Sequence, residues 1–346
     1  PTERLLEWFS KEKRPLPWRK DYAPYSVWIS EVMAQQTRIE QMIPYYERFL
    51  HQFPTVEALA NAPLIHVLKQ WEGLGYYSRA RHVHAAAQQI VKSFGGKIPH
   101  TKKELQELKG FGPYISSAVA SIAFHEPVPV VDGNVLRVMS RFWGSELDIA
   151  ANSTKKEWEE KLQRIITSAP ARNFNQGLME LGALVCVPIS PRCEKCPLQQ
   201  GCVAFEKNWQ SRLPIKSKKG KIPTKHFAAV IIRKENTFLL QPREKEKLLQ
   251  GMWEFPLVEY SPLTQNVNDI QSLLHQKVGR MVSLRPREGE IVHTYSHFRQ
   301  ILHPFEGKLA DSDEKVHGSF LSRAQIEEHP LPRVQRKLWE KIVEKK

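Results

Sequence analysis

The spacing of apolar side chains changes once along this 346-residue chain, and that change constrains the fold more than any other feature. Over residues 1–212 apolar side chains recur at three- and four-residue steps, the spacing of one helix face, with Gly and Pro between stretches. From residue 225 onward, short apolar runs typical of strands alternate with two helical stretches near 266–278 and 332–343. We therefore predict an all-α region over 1–212 and an α+β domain over 225–346.

The twelve residues between these regions, 213–224, predict an extended basic linker. They combine Pro214, Gly220 and Pro223 with lysines that have no acidic neighbour. These lysines are Lys216, Lys218, Lys219 and Lys221. Such a segment is compatible both with a solvated linker that contacts nothing and with one that contacts phosphates.

Composition excludes several classes of protein. Hydrophobic residues at 41% and charged residues at 25% are ordinary for globular domains and exclude a disordered chain. The longest uncharged apolar stretch, residues 115–124, is shorter than the roughly 18 residues that span a bilayer, so no membrane segment is expected. No charged segment followed by an apolar one opens the given sequence, so we expect that a secretory signal is absent or was trimmed. The formal charge of +14 favours a polyanionic partner without identifying one.

The four cysteines lie together, at Cys186, Cys193, Cys196 and Cys202, with the spacing C-x6-C-x2-C-x5-C. A disulfide-stapled secreted protein would distribute its cysteines, so this clustering indicates a reducing compartment and one shared site. Four thiolates suit tetrahedral zinc or a [4Fe–4S] cluster equally well by donor type.

Three other features become informative only in combination. The turn that contains Lys109, Gly110 and Gly112 could present bare backbone N–H groups to a phosphate, or could simply connect two packed helices. Asp132 precedes a helical stretch and could be an N-cap alone. Glu31 lies beside the apolar face of its helix, where a lone Glu is usually solvated.

Longer motifs resemble one family. SEVMAQQTR, WEGLGYYSRA, LKGFGPYISSA, VDGNVLRVMSR and FNQGLMELGALVC, followed by the cysteine loop, are similar to the adenine DNA glycosylase (MutY) family of the helix-hairpin-helix, endonuclease III-like superfamily. The motifs occur in the family's order across residues 1–212. The fold that this implies is a six-helix helix-hairpin-helix domain over about 20–130. A helical iron–sulfur domain would be formed by the N-terminus and about 131–212, and the loop would hold a [4Fe–4S] cluster.

The resemblance also implies the reaction and its residues. Members remove adenine opposite guanine or 8-oxoguanine, which requires an acid for the leaving base and an anion for the oxocarbenium-like sugar. Glu31 would be the acid and Asp132 the stabilising anion, with Tyr114 and Asn134 orienting them.

Tyr114 further separates two kinds of enzyme. Bifunctional relatives resembling endonuclease III carry at this position a Lys that attacks the sugar, so Tyr114 predicts a monofunctional glycosylase. A bifunctional lyase acting on oxidised pyrimidines and a non-enzymatic DNA-lesion binder are the alternatives.

Further residues are assigned to the DNA by the same resemblance. Gln36 and Tyr76 would be wedges that fill the gap left by the extruded base, and Trp18 and Arg19 would lie near the adenine. The expected DNA contacts are Trp18, Arg19, Gln36, Thr37, Arg38, Tyr76, Lys109, Gly110 and Gly112. Ala34 departs from the bulkier Leu common in the family.

The C-terminal domain resembles the Nudix-like domain of the same family. Gly251 to Pro256 fits that module, but the acidic helix that would hold Mg²⁺ is absent, so we expect a domain that reads rather than hydrolyses. Tyr295, Ser296 and His297 match the loop that senses 8-oxoguanine, with Tyr295 in place of Phe; an ordinary polar turn is the alternative. We expect a monomer on duplex DNA that contains adenine opposite 8-oxoguanine or guanine. The expected compartment is the bacterial cytoplasm with its nucleoid, or the nucleus in a eukaryote.

Overall fold

The computed structural model describes residues 1–217, 220–244, 248–310 and 315–343, and its contacts divide the chain into two compact units. The first unit contains Pro1–Asn61 and His82–Lys219; the second contains Ala62–Arg81 and Gly220–Lys346. The domain boundaries drawn from the sequence remain a prediction. Lys218 and Lys219 of the predicted linker lie outside the described residues.

The region before residue 218 is helical, and its described residues contain no strand, as the apolar spacing predicts. The helices are α1 Thr2–Glu12, α2 Pro24–Ala34, α3 Ile39–Gln52, α4 Val56–Asn61, α5 Leu64–Trp71, α6 Ser78–Phe94, α7 Lys102–Leu105, α8 Pro113–Phe124, α9 Gly133–Trp143, α10 Asn152–Ile166, α11 Ala171–Leu184 and α12 Val203–Glu206. Short 3-10 turns lie at Pro17–Arg19 and Cys193–Lys195.

Helices α2 and α8 form the centre of one core. Both begin with a proline at the first turn, where a missing N–H costs nothing, and both are buried over most of their length. Val27 of α2 packs with Ala118 and Ile122 of α8 and with Val130. Burial of each such side chain stabilises the fold by about 1.5–3 kcal/mol. A polar side chain on the inner face of α2 is therefore held away from water.

A second core in the first unit surrounds α11. It joins residues of α1, α9 and α10, including Leu5, Val135 and Trp158, to Leu178 and Leu181 of α11. This packing places the first residues of α9 against α11. The loop that carries the cysteines leaves directly from the end of α11.

The predicted linker begins inside the first unit rather than in solvent. Leu213 is buried, and the backbone N–H of Ile149 donates to the carbonyl of Ile215 at 3.0 Å. Ser217 donates its hydroxyl to Asp148. Leu213 thus packs in the first unit while Ile215, Lys216 and Ser217 stay exposed, and the linker drawn from the sequence remains a prediction.

The second unit contains a mixed sheet built around its first strand. The strands are β1 Thr224–Lys234, β2 Thr237–Pro242, β3 Trp253–Glu254, β4 Leu257–Tyr260, β5 Val282–Pro286, β6 Ile291–Thr294, β7 Arg299–Leu309 and β8 Ser319–Ser322. Strand β1 pairs in parallel with β7 and antiparallel with β2 and β4. Strands β5 and β6 pair with β7, and strands β3 and β8 pair with β2. The helices are α13 Val267–Val278, α14 Arg323–Glu328 and α15 Arg333–Leu338, followed by a π-helical turn at Trp339–Val343.

Alternation along β1 divides the second unit into two cores. Ala229 and Ile231 face one core, which α14 and α15 close, and Val230 and Ile232 face the other, which α13 closes. Sheet and helices together confirm the predicted Nudix-like α+β class. No helix in the described ranges has the length and apolarity needed to cross a membrane.

Candidate active site

Glu31 is a buried carboxyl group on the inner face of α2. The residue is only 6% exposed, because Val27 to Met33 all lie in the core. Tyr114, at the start of α8, donates its hydroxyl to Glu31 Oε2 at 2.7 Å. Burial, and to a smaller extent the neighbouring charge of Asp132, raise the pKa of Glu31 to about 7 against the opposing effects of Tyr114 and Arg19. Glu31 can therefore hold a proton near neutral pH.

Asp132 is the N-cap of α9. Its Oδ1 accepts the backbone N–H of Val135 at 2.7 Å, and its Oδ2 accepts the side-chain amide of Asn134 at 3.1 Å. Burial raises the pKa of this carboxyl, while the backbone N–H of Val135, the Asn134 amide and the Arg137 charge lower it. These several donors, together with the N-terminus of α9, stabilise the anion of Asp132, whereas Tyr114 is the hydrogen-bond donor to Glu31.

The orientation of Asn134 follows from its second partner. Arg137 donates to Asn134 Oδ1 at 2.9 Å and to the carbonyl of Gly182 at 2.7 Å. With its oxygen taken by a guanidinium, the amide must turn its NH₂ toward Asp132. A Cβ on Gly182 would lie 2.6 Å from the Asn134 Cβ, so only glycine allows α11 to approach this closely. The structure thus brings Glu31, Tyr114, Asp132 and Asn134 into one site.

Trp18 and Arg19 lie in the 3-10 turn before α2. Trp18 is buried and packs edge-on against Tyr46, with ring centroids 5.2 Å apart, so it is a core residue in this structure. Arg19 is held by Gln176 and Glu180 of α11, and its charge lowers the pKa of Glu31.

The motif FNQGLMELGALVC contains Gln176 and Glu180, but neither residue has a predicted role from the sequence. A signal was available there. Asn175, Gln176 and Glu180 are polar residues on the buried side of α11, among its apolar residues, and all three are buried. Buried polar groups require partners, which Arg19 and Arg14 provide for Glu180.

The glycine turn before α8 is exposed and has the geometry of an anion site. Gly110 has a φ of +81°, and a Cβ there would also lie 2.5 Å from the Cβ of His82. Gly112 is the N-cap of α8, with open space where a side chain would be. Lys109 is exposed at the same turn. The bare N-terminus of α8 can therefore accept a close anion.

Both predicted wedges have a left-handed backbone conformation. Gln36, between α2 and α3, has a φ of 56° and is exposed, with Thr37 and exposed Arg38 following it. In the second unit, Tyr76 has a φ of 49°, is 43% exposed and lies under the Arg79 guanidinium. Non-glycine residues in this region are uncommon and concentrate at functional sites.

Tyr295, Ser296 and His297 form the turn between β6 and β7. The Tyr295 N–H donates to the carbonyl of Phe298 at 2.9 Å, and the two rings stack at 4.8 Å. Burial raises the pKa of the Tyr295 phenol. Ser296 and His297 are exposed at the tip, with Ser296 Oγ 3.4 Å from His297 Nδ1. Tyr295 thus anchors a turn that presents two polar side chains.

The four cysteines follow α11 and line one small cavity with Arg141. All four are free thiols, and Arg141 Nη1 lies 3.4 Å from Cys186 Sγ while the same guanidinium holds the carbonyls of Val187 and Pro188. Thiols are the donor type that an iron–sulfur cluster or zinc takes, and four of them line this cavity. Within the described ranges, no three His, Cys, Asp or Glu side chains converge closely enough to hold a metal ion.

Comparison with known proteins gives matches over both parts of the chain. Residues 29–167 match the HhH-GPD superfamily of base excision DNA repair proteins, and residues 227–341 match the NUDIX domain. The first range contains Glu31, Tyr114, Asp132 and Asn134. The second contains the Tyr295–His297 turn.

Individual relatives extend across most of the chain. The adenine DNA glycosylase of Rattus norvegicus is 34% identical over 349 residues, which cover 85% of this chain and 68% of the relative. The enzyme of the same name from Buchnera aphidicola subsp. Acyrthosiphon pisum is 34% identical over 310 residues, covering 87% of this chain and 84% of the relative. Among solved structures, a thermostable thymine-DNA glycosylase matches with a TM-score of 0.54 and 28% identity over 60% of this chain and 95% of its own.

Proposed function

Because the chain belongs to the adenine DNA glycosylase family, we propose that it removes adenine paired with 8-oxoguanine or guanine in duplex DNA. Members of this family are base-excision-repair enzymes that hydrolyse an N-glycosidic bond. The observation that carries the proposal is the pair of neighbouring carboxyl groups with different environments, one buried and one half-buried. Glu31 is buried with a pKa near 7, and Asp132 accepts several N–H groups that stabilise an anion.

The chemistry assigns one role to each group. Glu31 gives its proton to N7 of the adenine as the bond between N9 and the sugar C1′ breaks, and the bonding electrons leave with the base. The carboxylate of Asp132 stabilises the positive charge that develops on the sugar. Water then adds its hydroxide to C1′ and returns a proton to Glu31, which leaves free adenine and an abasic site.

Tyr114 supports a monofunctional reaction. Its hydroxyl is committed to Glu31, and burial holds the pKa of the phenol well above its usual value. A neutral phenol is a poor nucleophile toward C1′ and cannot form a Schiff base. Strand cleavage should therefore require alkali after base release.

Exposed residues at three turns would bind the DNA. In this proposal, the turn at Lys109, Gly110 and Gly112 binds a backbone phosphate at the N-terminus of α8. Gln36 and Tyr76 enter the stack, since their left-handed backbones project exposed side chains. Thr37 and Arg38 would contact the strand beside Gln36.

A panel of duplexes under single-turnover conditions tests this function. We expect alkali-revealed breaks at adenine opposite 8-oxoguanine or guanine and none at adenine opposite thymine. Direct breakage at an oxidised pyrimidine would favour the bifunctional endonuclease III-like alternative. Tight binding with no released base on any duplex would favour the non-enzymatic lesion binder.

The cysteine loop is proposed to hold a [4Fe–4S] cluster, which would act as a structural crosslink of the segment after α11. As-purified protein should absorb near the blue end of the visible range and contain about four iron and four sulfide per chain. Cys193→Ser should remove that absorbance. Because the chain has no cysteine outside this loop, the whole signal reports on it. Stoichiometric zinc without visible absorbance would contradict the assignment.

The Tyr295–His297 turn is proposed to read 8-oxoguanine. Replacing both Ser296 and His297 with Ala should erase the preference for 8-oxoguanine over guanine opposite the adenine, because both polar groups at the exposed tip are lost. Adenine release opposite guanine should change little. The matched control replaces Ser272 and His275 with Ala, two exposed residues on α13 of the same unit. An undiminished preference in the first variant would mean that the turn is an ordinary hairpin connection.

A further inference from the structure

Glu180 on α11 is a buried carboxylate that the reaction described above does not use. It is only 2% exposed and accepts hydrogen bonds from two arginines. Arg14 donates its backbone N–H and Nε to Oε1, both at 2.9 Å, and its Nη2 to Oε2 at 3.0 Å. Arg19 donates Nη1 and Nη2 to the two oxygens at 3.1 Å each. Burial raises the pKa of Glu180, but these bonds lower it to about 2, so the group is a permanent anion.

Arg19 is fixed on every side by this arrangement. Its Nε donates to Gln176 Oε1 at 3.0 Å, its Nη1 also donates to the Arg14 carbonyl at 3.0 Å, and its guanidinium lies 5.3 Å from the Phe9 ring. A guanidinium with two parallel bonds to one carboxylate has a defined position. Glu180 thus determines where the Arg19 charge is held.

The Arg19 charge acts on Glu31. The charged and titratable groups that face Glu31 are Tyr114 from α8, Asp132 from the start of α9 and Arg19 from the 3-10 turn. Of these, Arg19 alone is a cation, and it favours the ionised form of Glu31. A buried cation beside a general acid works against catalysis unless an anion offsets it.

We propose that Glu180 is a positioning residue that holds Arg19 in place and offsets its charge, so that Glu31 keeps its proton at neutral pH. This inference rests on the proposed role of Glu31. Glu180 touches neither of the paired carboxyls in the structure; it acts through Arg19.

Two substitutions should shift the pKa of Glu31 in opposite directions. In Glu180→Gln, the guanidiniums of Arg14 and Arg19 lose their shared anion, so the net positive charge near Glu31 increases and its pKa falls. In Arg14→Gln, Glu180 keeps its bonds to Arg19 while one positive charge is removed, so the pKa of Glu31 rises. A role limited to folding would give neither shift.

The test is the pH dependence of the single-turnover rate of adenine release. Because the protonated acid is required, the rate should fall as pH rises through the pKa of Glu31. We expect Glu180→Gln to move this midpoint down by about one pH unit and Arg14→Gln to move it up. Glu180→Asp, which keeps the charge, should restore the midpoint toward that of the unchanged protein. Glu159→Gln, which breaks a part-buried pair with Lys102, is the matched control and should leave the midpoint unchanged.

The outcomes separate the inference from the function on which it rests. An unchanged midpoint in Glu180→Gln, in a protein that Glu31→Gln inactivates, would overturn the inference and leave the function intact. Activity in Glu31→Gln would overturn the function itself. If Glu180→Gln fails to fold, Arg14→Gln decides, since a midpoint that stays or falls there contradicts the proposal.

Discussion

Glu31→Gln is expected to lower the single-turnover rate of adenine release by about 10²- to 10⁴-fold, the usual range for loss of a general acid. The amide has the size of the carboxyl group and can still accept from Tyr114, so the site keeps its shape. It has no acidic proton for the leaving base, however. Duplex binding should therefore remain close to that of the unchanged protein. Exposed Glu47 on α3 provides the control, since Glu47→Gln removes a carboxylate outside the site.

The same substitution should stabilise the fold at alkaline pH. Glu31 has a pKa of about 7 in the folded chain against an ordinary value of 4.5, so the folded state binds more protons between these values. The free energy of unfolding should then fall as pH rises from about 5 to about 8, by about 3 kcal/mol in total. Glu31→Gln lacks this fall. Thermal melts at both pH values would show a higher melting temperature for the variant at pH 8, and equal pH dependence of the two proteins would contradict the buried acid.

Asp132→Asn is expected to lower adenine release by at least about 10²- to 10³-fold, because the neutral amide no longer stabilises the charge on the sugar. Asn is also a good N-cap and can accept from the Val135 N–H, so α9 should remain folded. Asp148→Asn changes a partly exposed aspartate outside the site in the same unit; it is the control and should retain activity. Full activity of Asp132→Asn would remove the second carboxylate from the reaction.

The helical and α+β classes could be predicted because both depend on repeated apolar spacing. The break between α2 and α3 could not. Apolar residues from Trp28 to Phe49 keep a helical spacing through it, and no Gly or Pro lies at Gln35 to Arg38. The turn depends on Gln36 in a left-handed conformation, which the residue type does not indicate. The local sequence therefore does not indicate the turn between α2 and α3 that exposes Gln36.

Short elements in the second unit were also missed. Strand β5, Val282–Pro286, buries Val282 and little else, so it lacks an apolar run, and α14 has six residues. Residues 253–258 belong to two strands, β3 and β4, because Pro256 cannot donate to a ladder; its carbonyl instead accepts the Val230 N–H. These elements depend on tertiary partners more than on local pattern.

One feature of the candidate site, the position of Asp132 at the start of a helix, could be predicted from its local sequence. Taken by itself, Asp132 is predicted to be an N-cap, and the structure shows that it is the N-cap of α9. The backbone N–H groups at the start of α9 favour its anion. The role assigned to Glu180 came only from the structure, because its partners Arg14 and Arg19 are more than 160 residues away in sequence. The polar positions of α11 single out Glu180 in the sequence, but they do not show which distant residues it pairs with.

The most direct measurement of the central claim is the single-turnover rate of adenine release from a duplex with adenine opposite 8-oxoguanine, followed from about pH 5.5 to pH 8.5 in the unchanged protein. A proton on Glu31 predicts free adenine, an alkali-labile site and a rate that falls with a midpoint near pH 7. A rate that does not vary across this range, or a duplex that is bound without release of adenine, would contradict the account.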